Sequence, residues 1–458
     1  MAVALAERDQ ARAEVARMAR SKFWRLGLLY WQTRARLLGR LGRLAQRGGV
    51  PRRTAPAAAT PLAREAPRPV PATPPAATEP APRTLPDIIC FSIIDWAFRY
   101  QRPQQLMARF AAHGHRVFYI SLAQPLPVTA APSFALRRLA ENVYELSLPA
   151  AGGLDVYSAV IGPGQHATLL AGLESLRETF GICDALAYVM MASWGPLALE
   201  ARQRWGWRVV YDCMDEWGGF PGIGRAVVDM EAPLVAASDL LVVTAQALYD
   251  KWQPRGPRLV LARNAVDYDF YAERLLPNGQ LLGTPHPVAG YFGALAEWFD
   301  VELLRCAAEQ RPEVTFVLIG GVFDVDISSL AALPNVKLLG PRPYAAMPGY
   351  LYNFDVCLIP FKLNAITHAT DPVKLYEYFS AGKPVVATHL AELAPHRAHV
   401  YLAAGASDFV AQLDAALAER DPQRAAARQA LARQNTWEHR YQAIVAALPP
   451  AAETDGHA

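Results

Sequence analysis

Ala369 to Thr388 reads ATDPVKLYEYFSAGKPVVAT. Thr370 or Asp371 can cap a helix start, and Pro372 suits the first turn, where its missing N–H costs nothing. Gly382 stands where a helix ends in a left-handed residue. The apolar run after it has strand character. A helix that passes through a glycine into an apolar strand is one step of an alternating strand–helix chain, and that step recurs on both sides of this stretch.

Between 286 and 447 the expected strands are Val288–Phe292, Val314–Ile319, Val336–Leu339, Val356–Ile359, Val385–Ala387 and Val400–Leu402. Helices are expected at 298–309, 344–352, 372–381, 405–420 and 423–447, the last able to cross back onto the first domain. An earlier alternation fills 87–264. Its strands are Ile88–Ile94, Arg116–Leu122, Val143–Leu148, Leu186–Met191, Arg208–Asp212, Leu240–Val243 and Arg258–Ala262, with helices at Arg102–Ala112 and near 166–180, 196–205, 224–237 and 245–252. Strands apolar throughout their length indicate parallel sheets covered on both faces. The reading is α/β, with two Rossmann-like doubly wound domains joined by 265–285 and facing a central cleft. Ligands of such sheets bind beyond the carboxyl ends of the strands.

The flanks are different. Residues 1–47 carry ten Arg and one Lys against three acids, a net +8 that leaves −5 on the rest of a +3 chain. Apolar residues from Val15 to Leu44 recur at three- and four-residue steps, with Phe23, Trp24, Tyr30 and Trp31 among them. A basic amphipathic helix of this kind suits an anionic membrane surface, and equally suits packing on the protein body or a second copy. Residues 48–86, rich in Pro and Ala, form a linker that cannot bury a core, and 448–458 form a disordered tail. No stretch is long and apolar enough to span a membrane, and no signal-peptide pattern opens the chain. The expectation is a cytoplasmic protein, peripheral at the inner face of the membrane. The five Cys are read as buried thiols of a reducing compartment. No nucleic-acid partner is expected, since no nucleic-acid fold follows the basic arm.

Lys374 and Glu377 lie three apart and share a helix face. Free amides and the dipole at a helix start attract phosphate, and Lys374 adds a full charge there. Glu377, one turn deeper, is an acceptor at the reach of a ribose diol. A diphosphate followed by a ribose is the outline of a nucleotide-sugar, although the same spacing suits an ordinary surface ion pair. Asp95 and Asp215 are candidate catalytic carboxylates in loops after strands, either of which could instead satisfy loop amides. Gln101, Arg102, Asp212 and Trp217 are candidate acceptor-binding residues. Asp324–Asp326 (DVD) is read as a loop. No metal cluster, GxSxG element or Walker A loop is present, so no metal or cofactor is expected.

DPVKLYEYFSAGKPVVAT resembles the donor-site motif of GT-B glycosyltransferases of the family 4 type. ARNAVDYDFY (262–271) resembles the interdomain segment of that group and GYFGALAEWFDVELL (290–304) the glycine loop that opens its C-terminal domain, while WAFRYQRPQQLMARFAAHGHRVFYI (96–120) and VVYDCMDEWGGFPG (209–222) are similar to the N-terminal domain of bacterial cell-surface polysaccharide transferases, including the teichuronic-acid type. The resemblance implies a GT-B fold and transfer of a sugar from a nucleotide-sugar to a glycan or lipid-linked acceptor. It implies that Glu377 binds the donor ribose, that the amides of Val373 and Lys374 meet the diphosphate, and that Gly293 admits the phosphates. Two departures stand out. Ala369 occupies a position where that group has a Glu. The loop GALAEWFD lacks the group's basic residues and carries Glu297 and Trp298, so the missing charge is expected from Lys362, Lys374, Arg342 or a protonated His368. A nucleotide-sugar epimerase and a non-catalytic scaffold on the same fold are the other readings.

Overall fold

The computed structural model describes residues 85–128, 133–151, 153–255, 258–273, 281 and 283–450. The expected helix at 1–47 and the linker up to residue 84 lie outside the described residues, as does the tail from 451.

The first sheet contains β1 (Asp87–Phe91), β2 (Val117–Ile120), β3 (Ala135–Ala140), β4 (Val143–Ser147), β5 (Ala185–Val189), β6 (Arg208–Cys213), β7 (Leu240–Val243) and β8 (Arg258–Leu261). Their order is β3-β4-β2-β1-β5-β6-β7-β8. β1, β2, β5 and β7 are buried at every residue, as strands covered on both faces must be. β3 corrects the all-parallel expectation. ALRRLA pairs antiparallel with β4 at the sheet edge, where Arg138 is exposed and Arg137 pairs with Glu145.

The second sheet contains β9 (Val288–Phe292), β10 (Thr315–Ile319), β11 (Val336–Leu338), β12 (Val356–Ile359), β13 (Val385–Thr388) and β14 (Tyr401–Ala403), in the order β11-β10-β9-β12-β13-β14. All its pairings are parallel. This is the doubly wound order, and it reverses between β9 and β12. In the first sheet the order reverses between β1 and β5. The loops after β1, β9 and β12 therefore open at crevices, and these loops carry Asp95, Gly293 and Lys362.

The terminal helical stretch is two helices, Pro422–Arg433 and Trp437–Ala447, where one had been expected. Thr436 caps the second by accepting from the His439 amide, and the chain at Val266 bonds to both Asn435 and Trp437. The last helix crosses to the first domain. Trp437, Tyr441 and Ile444 join its core, and the Tyr441 ring lies 5.0 Å from Phe110 and 4.1 Å from His113. Further links tie the domains near the hinge. Glu392 accepts from the Gln246 amide at 2.6 Å and pairs with Arg263 at 2.7 Å, and Gln105 donates to the Tyr344 hydroxyl. Cys90, Cys213 and Cys357 are buried, whereas Cys183 is exposed and Cys306 half-buried. Among the described residues no helix is long and apolar enough to cross a membrane.

Candidate functional site

The helix after β12 runs Val373–Ser380 with Pro372 as its cap. Neither expected side-chain cap forms. Asp371 turns away and accepts from the Asn264 amide at 2.7 Å and from the Tyr376 hydroxyl at 3.1 Å, joining this helix to the interdomain segment. Thr370 donates to the Ile366 carbonyl. The first-turn amides of Val373 and Lys374 thus keep no side-chain acceptor, the condition under which a helix start binds an anion. The helix ends as expected, with Gly382 left-handed at φ +69°.

Lys374 and Glu377 share the face that looks along the end of β9. The Lys374 ammonium lies 5.4 Å from the Tyr291 ring centre and 5.7 Å from that of Phe361. Burial lowers its pKa against the opposing pull of Glu377. Gly293, with φ +143°, leaves open the space that Lys374 crosses: a Cβ there would come within 2.6 Å of the ammonium nitrogen. Glu377 accepts from the Tyr271 hydroxyl at 3.0 Å, and burial pushes its carboxyl up to about 7. Tyr271 is a site residue that sequence reading missed. It lies in the interdomain segment quoted above, 106 positions before its partner.

The other expected donor residues separate. Lys362 is exposed, with its amide bonded to the Trp298 carbonyl. His368 ends a four-residue helix, Ala365–His368, and is half-buried. Arg342 donates to the Tyr350 hydroxyl and the Pro341 carbonyl. Ala369 is 4% exposed and packs in the core of the first domain, so the carboxylate missing there is replaced by an apolar contact between domains.

On the first domain the structure corrects several expectations. Arg102 and Asp212 were expected to hold an acceptor, but they hold each other. The guanidinium meets the carboxylate at 2.8 Å and 3.0 Å, Tyr188 donates to the same carboxylate, and Arg102 also donates to the Ala262 carbonyl. Their side chains are 4% and 0% exposed. A pair this deeply buried is not presented to a ligand in the cleft. Trp217 is buried in the core; its neighbour Phe220 instead reaches across the cleft to Trp298, at 6.5 Å between ring centres. Asp95, expected as a catalytic carboxylate, caps the loop after β2 by accepting from the Leu122 and Ala123 amides and the Ser121 hydroxyl. Gln101 caps the helix Arg102–Ala112 and is exposed.

Asp215 differs from these. It is half-buried after β6, and its carboxyl lies against the Thr370 hydroxyl of the opposite domain. Burial pushes it up to about 7, against the favourable pull of Arg102 and Thr370. It thus stands near the start of the helix Val373–Ser380. Among the described residues no group of three His, Cys, Asp or Glu is placed to hold a metal ion. Asp324–Asp326 is a loop in which Asp326 accepts from the Ser328 amide.

Three carboxyls of this region, Asp215, Asp371 and Glu377, are pushed up to about 7. A carboxyl whose folded pKa exceeds its unfolded one stabilises the fold when protonated. The free protein should therefore lose stability as pH rises from about 4.5 to about 7, through the window between those values. Thermal midpoints across that range check this, and Glu377→Gln should flatten the decline.

Comparison with known proteins agrees with this architecture. Residues 286–419 match the family model described as glycosyl transferases group 1. The Bacillus subtilis protein TuaH, which carries the name of a teichuronic acid biosynthesis glycosyltransferase, is 31% identical over 202 residues, covering 40% of this chain and 51% of that protein. The chain thus spans about half the length of the curated relative it matches. The structure is similar to a sucrose-phosphate synthase from Thermosynechococcus elongatus, with TM-score 0.59 and 15% identity over 79% of this chain and 98% of that one. It is also similar to HepE of Anabaena in complex with UDP and glucose, with TM-score 0.56 and 18% identity over 80% of this chain and 99% of that one. The fold is GT-B.

Proposed function

We propose that this chain is a glycosyltransferase of cell-surface polysaccharide biosynthesis, using a nucleotide-sugar donor and a glycan or lipid-linked acceptor. The observation that carries the reading is the helix start at Val373. Free amides, an unpaired ammonium and a carboxylate one turn deeper lie in that order at the point where the GT-B sheet reverses. Structures related to this one hold UDP, or UDP with glucose, on the same fold.

The diphosphate lies on the amides of Val373 and Lys374 and on the Lys374 ammonium, with Gly293 leaving room for it. Its developing charge on departure falls to these side-chain and backbone donors. The ribose hydroxyls bond to Glu377, whose second tie to Tyr271 fixes its orientation. Asp215 faces the same point from the first domain and takes the proton from the acceptor hydroxyl. A carboxyl near neutrality suits a general base, because it is both sufficiently ionised and sufficiently basic at working pH. The acceptor lies on the first domain, beside the exposed Gln101, and an anionic membrane surface is its setting in this reading.

The test is product analysis. A nucleotide-sugar that raises the thermal midpoint is incubated with and without membrane-derived acceptor. Acceptor-dependent release of nucleoside diphosphate supports transfer. Conversion of the sugar without acceptor would mark an epimerase, and binding with no turnover a scaffold.

A further inference from the structure

Two cations from opposite domains flank the cleft, neither with a carboxylate in ion-pair contact among the described residues. Lys374 belongs to the second domain. Arg99 comes from the loop after β1 in the first, and its guanidinium carbon lies 4.7 Å from the Phe98 ring centre and 4.6 Å from that of Phe323. Phe323 follows β10 in the second domain, so this stack spans the cleft. Both rings are otherwise open to solvent, Phe98 at 49% and Phe323 at 40% exposure. A guanidinium held on ring faces keeps its in-plane N–H groups for other partners. Among the described residues no carboxylate lies within ion-pair distance of either cation; Glu377, the acid that Lys374 feels, is bonded to Tyr271. Burial lowers the pKa of both, and Arg99 lowers that of Lys374 further. Phe323, on which Arg99 stacks, donates its amide to the Leu295 carbonyl, and Lys374 crosses the space at Gly293, so the two cations flank the same loop.

We propose that Arg99 is the second cation of the diphosphate site, delivered by the first domain to face Lys374. This rests on the donor reading given above and makes a diphosphate, with charge on two phosphorus centres, the ligand that fits. The site is complete only while the domains are closed, so the donor binds the closed form more tightly and favours it. Stacking on Phe323 sets the reach of Arg99, which makes Phe323 a positioning residue.

Calorimetry on the full chain with UDP, UMP and uridine tests this. Arg99→Gln should weaken UDP by about 10–100-fold, the usual weight of charge-assisted hydrogen bonds, with a smaller loss for UMP and none for uridine. Arg99→Lys should recover part of the loss, because charge returns without the planar fork. The thermal midpoint of the free Arg99→Gln protein should equal or exceed that of wild type, since a repulsion is removed. Wild-type UDP affinity in Arg99→Gln, alongside a loss in Lys374→Gln, would overturn the role of Arg99 and leave the donor site standing. A wild-type protein that binds UDP no better than uridine would overturn both. A lower midpoint that Arg99→Lys does not restore would make Arg99 structural.

Discussion

Asp215→Asn should slow sugar transfer by about 10²–10⁴-fold, the usual contribution of a positioned general base, while nucleoside diphosphate binding stays unchanged. The asparagine keeps the size of the side chain and its place beside Thr370, but cannot accept a proton. Because burial pushes the Asp215 carboxyl up to about 7, transfer by the wild-type protein should rise with pH through neutrality as the carboxylate forms. At saturating donor, where Glu377 no longer limits the rate, the residual rate of the Asn variant should lack that rise. Initial rates of nucleoside diphosphate release from pH 5.5 to 8.5 measure both effects. An Asn variant with the wild-type rate and pH profile would remove Asp215 from the chemistry.

Arg102→Ala should destabilise the fold by about 3–5 kcal/mol, because it strands the Asp212 carboxylate with no counter-charge in the core of the first domain. The loss extends beyond the pair. Arg102 also holds the Ala262 carbonyl, so the segment that leads into the second domain loses an anchor. Denaturant unfolding measures the effect. The double variant Arg102→Met with Asp212→Leu should regain most of it, since removing both partners leaves no buried charge. If Arg102→Ala proves as stable as wild type but loses acceptor affinity, the ligand role expected from sequence is restored.

How much of this was legible in the sequence follows from where each signal lies. β9 and β12 could be read to the residue because a strand covered on both faces is apolar throughout and bounded by polar turns. β3 was not legible. ALRRLA is an edge strand, half-exposed, and its arginines hide the alternation. The break before Trp437 was missed because QNTWEHR is polar enough to read as the face of a continuing helix; only the Thr436 side chain turning onto its own helix start reveals it.

The site divides in the same way. Lys374 and Glu377 lie on one helix, so local spacing places them together. Arg102 and Asp212 are 110 positions apart, and a buried pair over that distance leaves no local pattern. Each alone looked like a cleft residue, and each is consumed by the other. Asp95 was misread for a similar reason, since its partners come from the loop after the neighbouring strand. Arg99 went unnoticed between Phe98 and Tyr100 because its significance comes from Phe323, in the other domain. A signal was nevertheless present: the loop at Gly293 lacked basic residues, which implied that a cation had to come from elsewhere.

In the function proposed above, the helix start at Val373 clamps a nucleotide-sugar, with Glu377 on the ribose. Calorimetric titration of nucleoside diphosphates into wild type and Glu377→Ala tests it most directly. Wild type should show saturable one-to-one binding, strengthening as pH rises through about 7 and Glu377 ionises. In Glu377→Ala the affinity should fall by about 10–100-fold, and its pH dependence should shrink to that of the diphosphate itself, whose terminal phosphate ionises at about pH 6. Binding of equal strength and pH profile in the two proteins would contradict it.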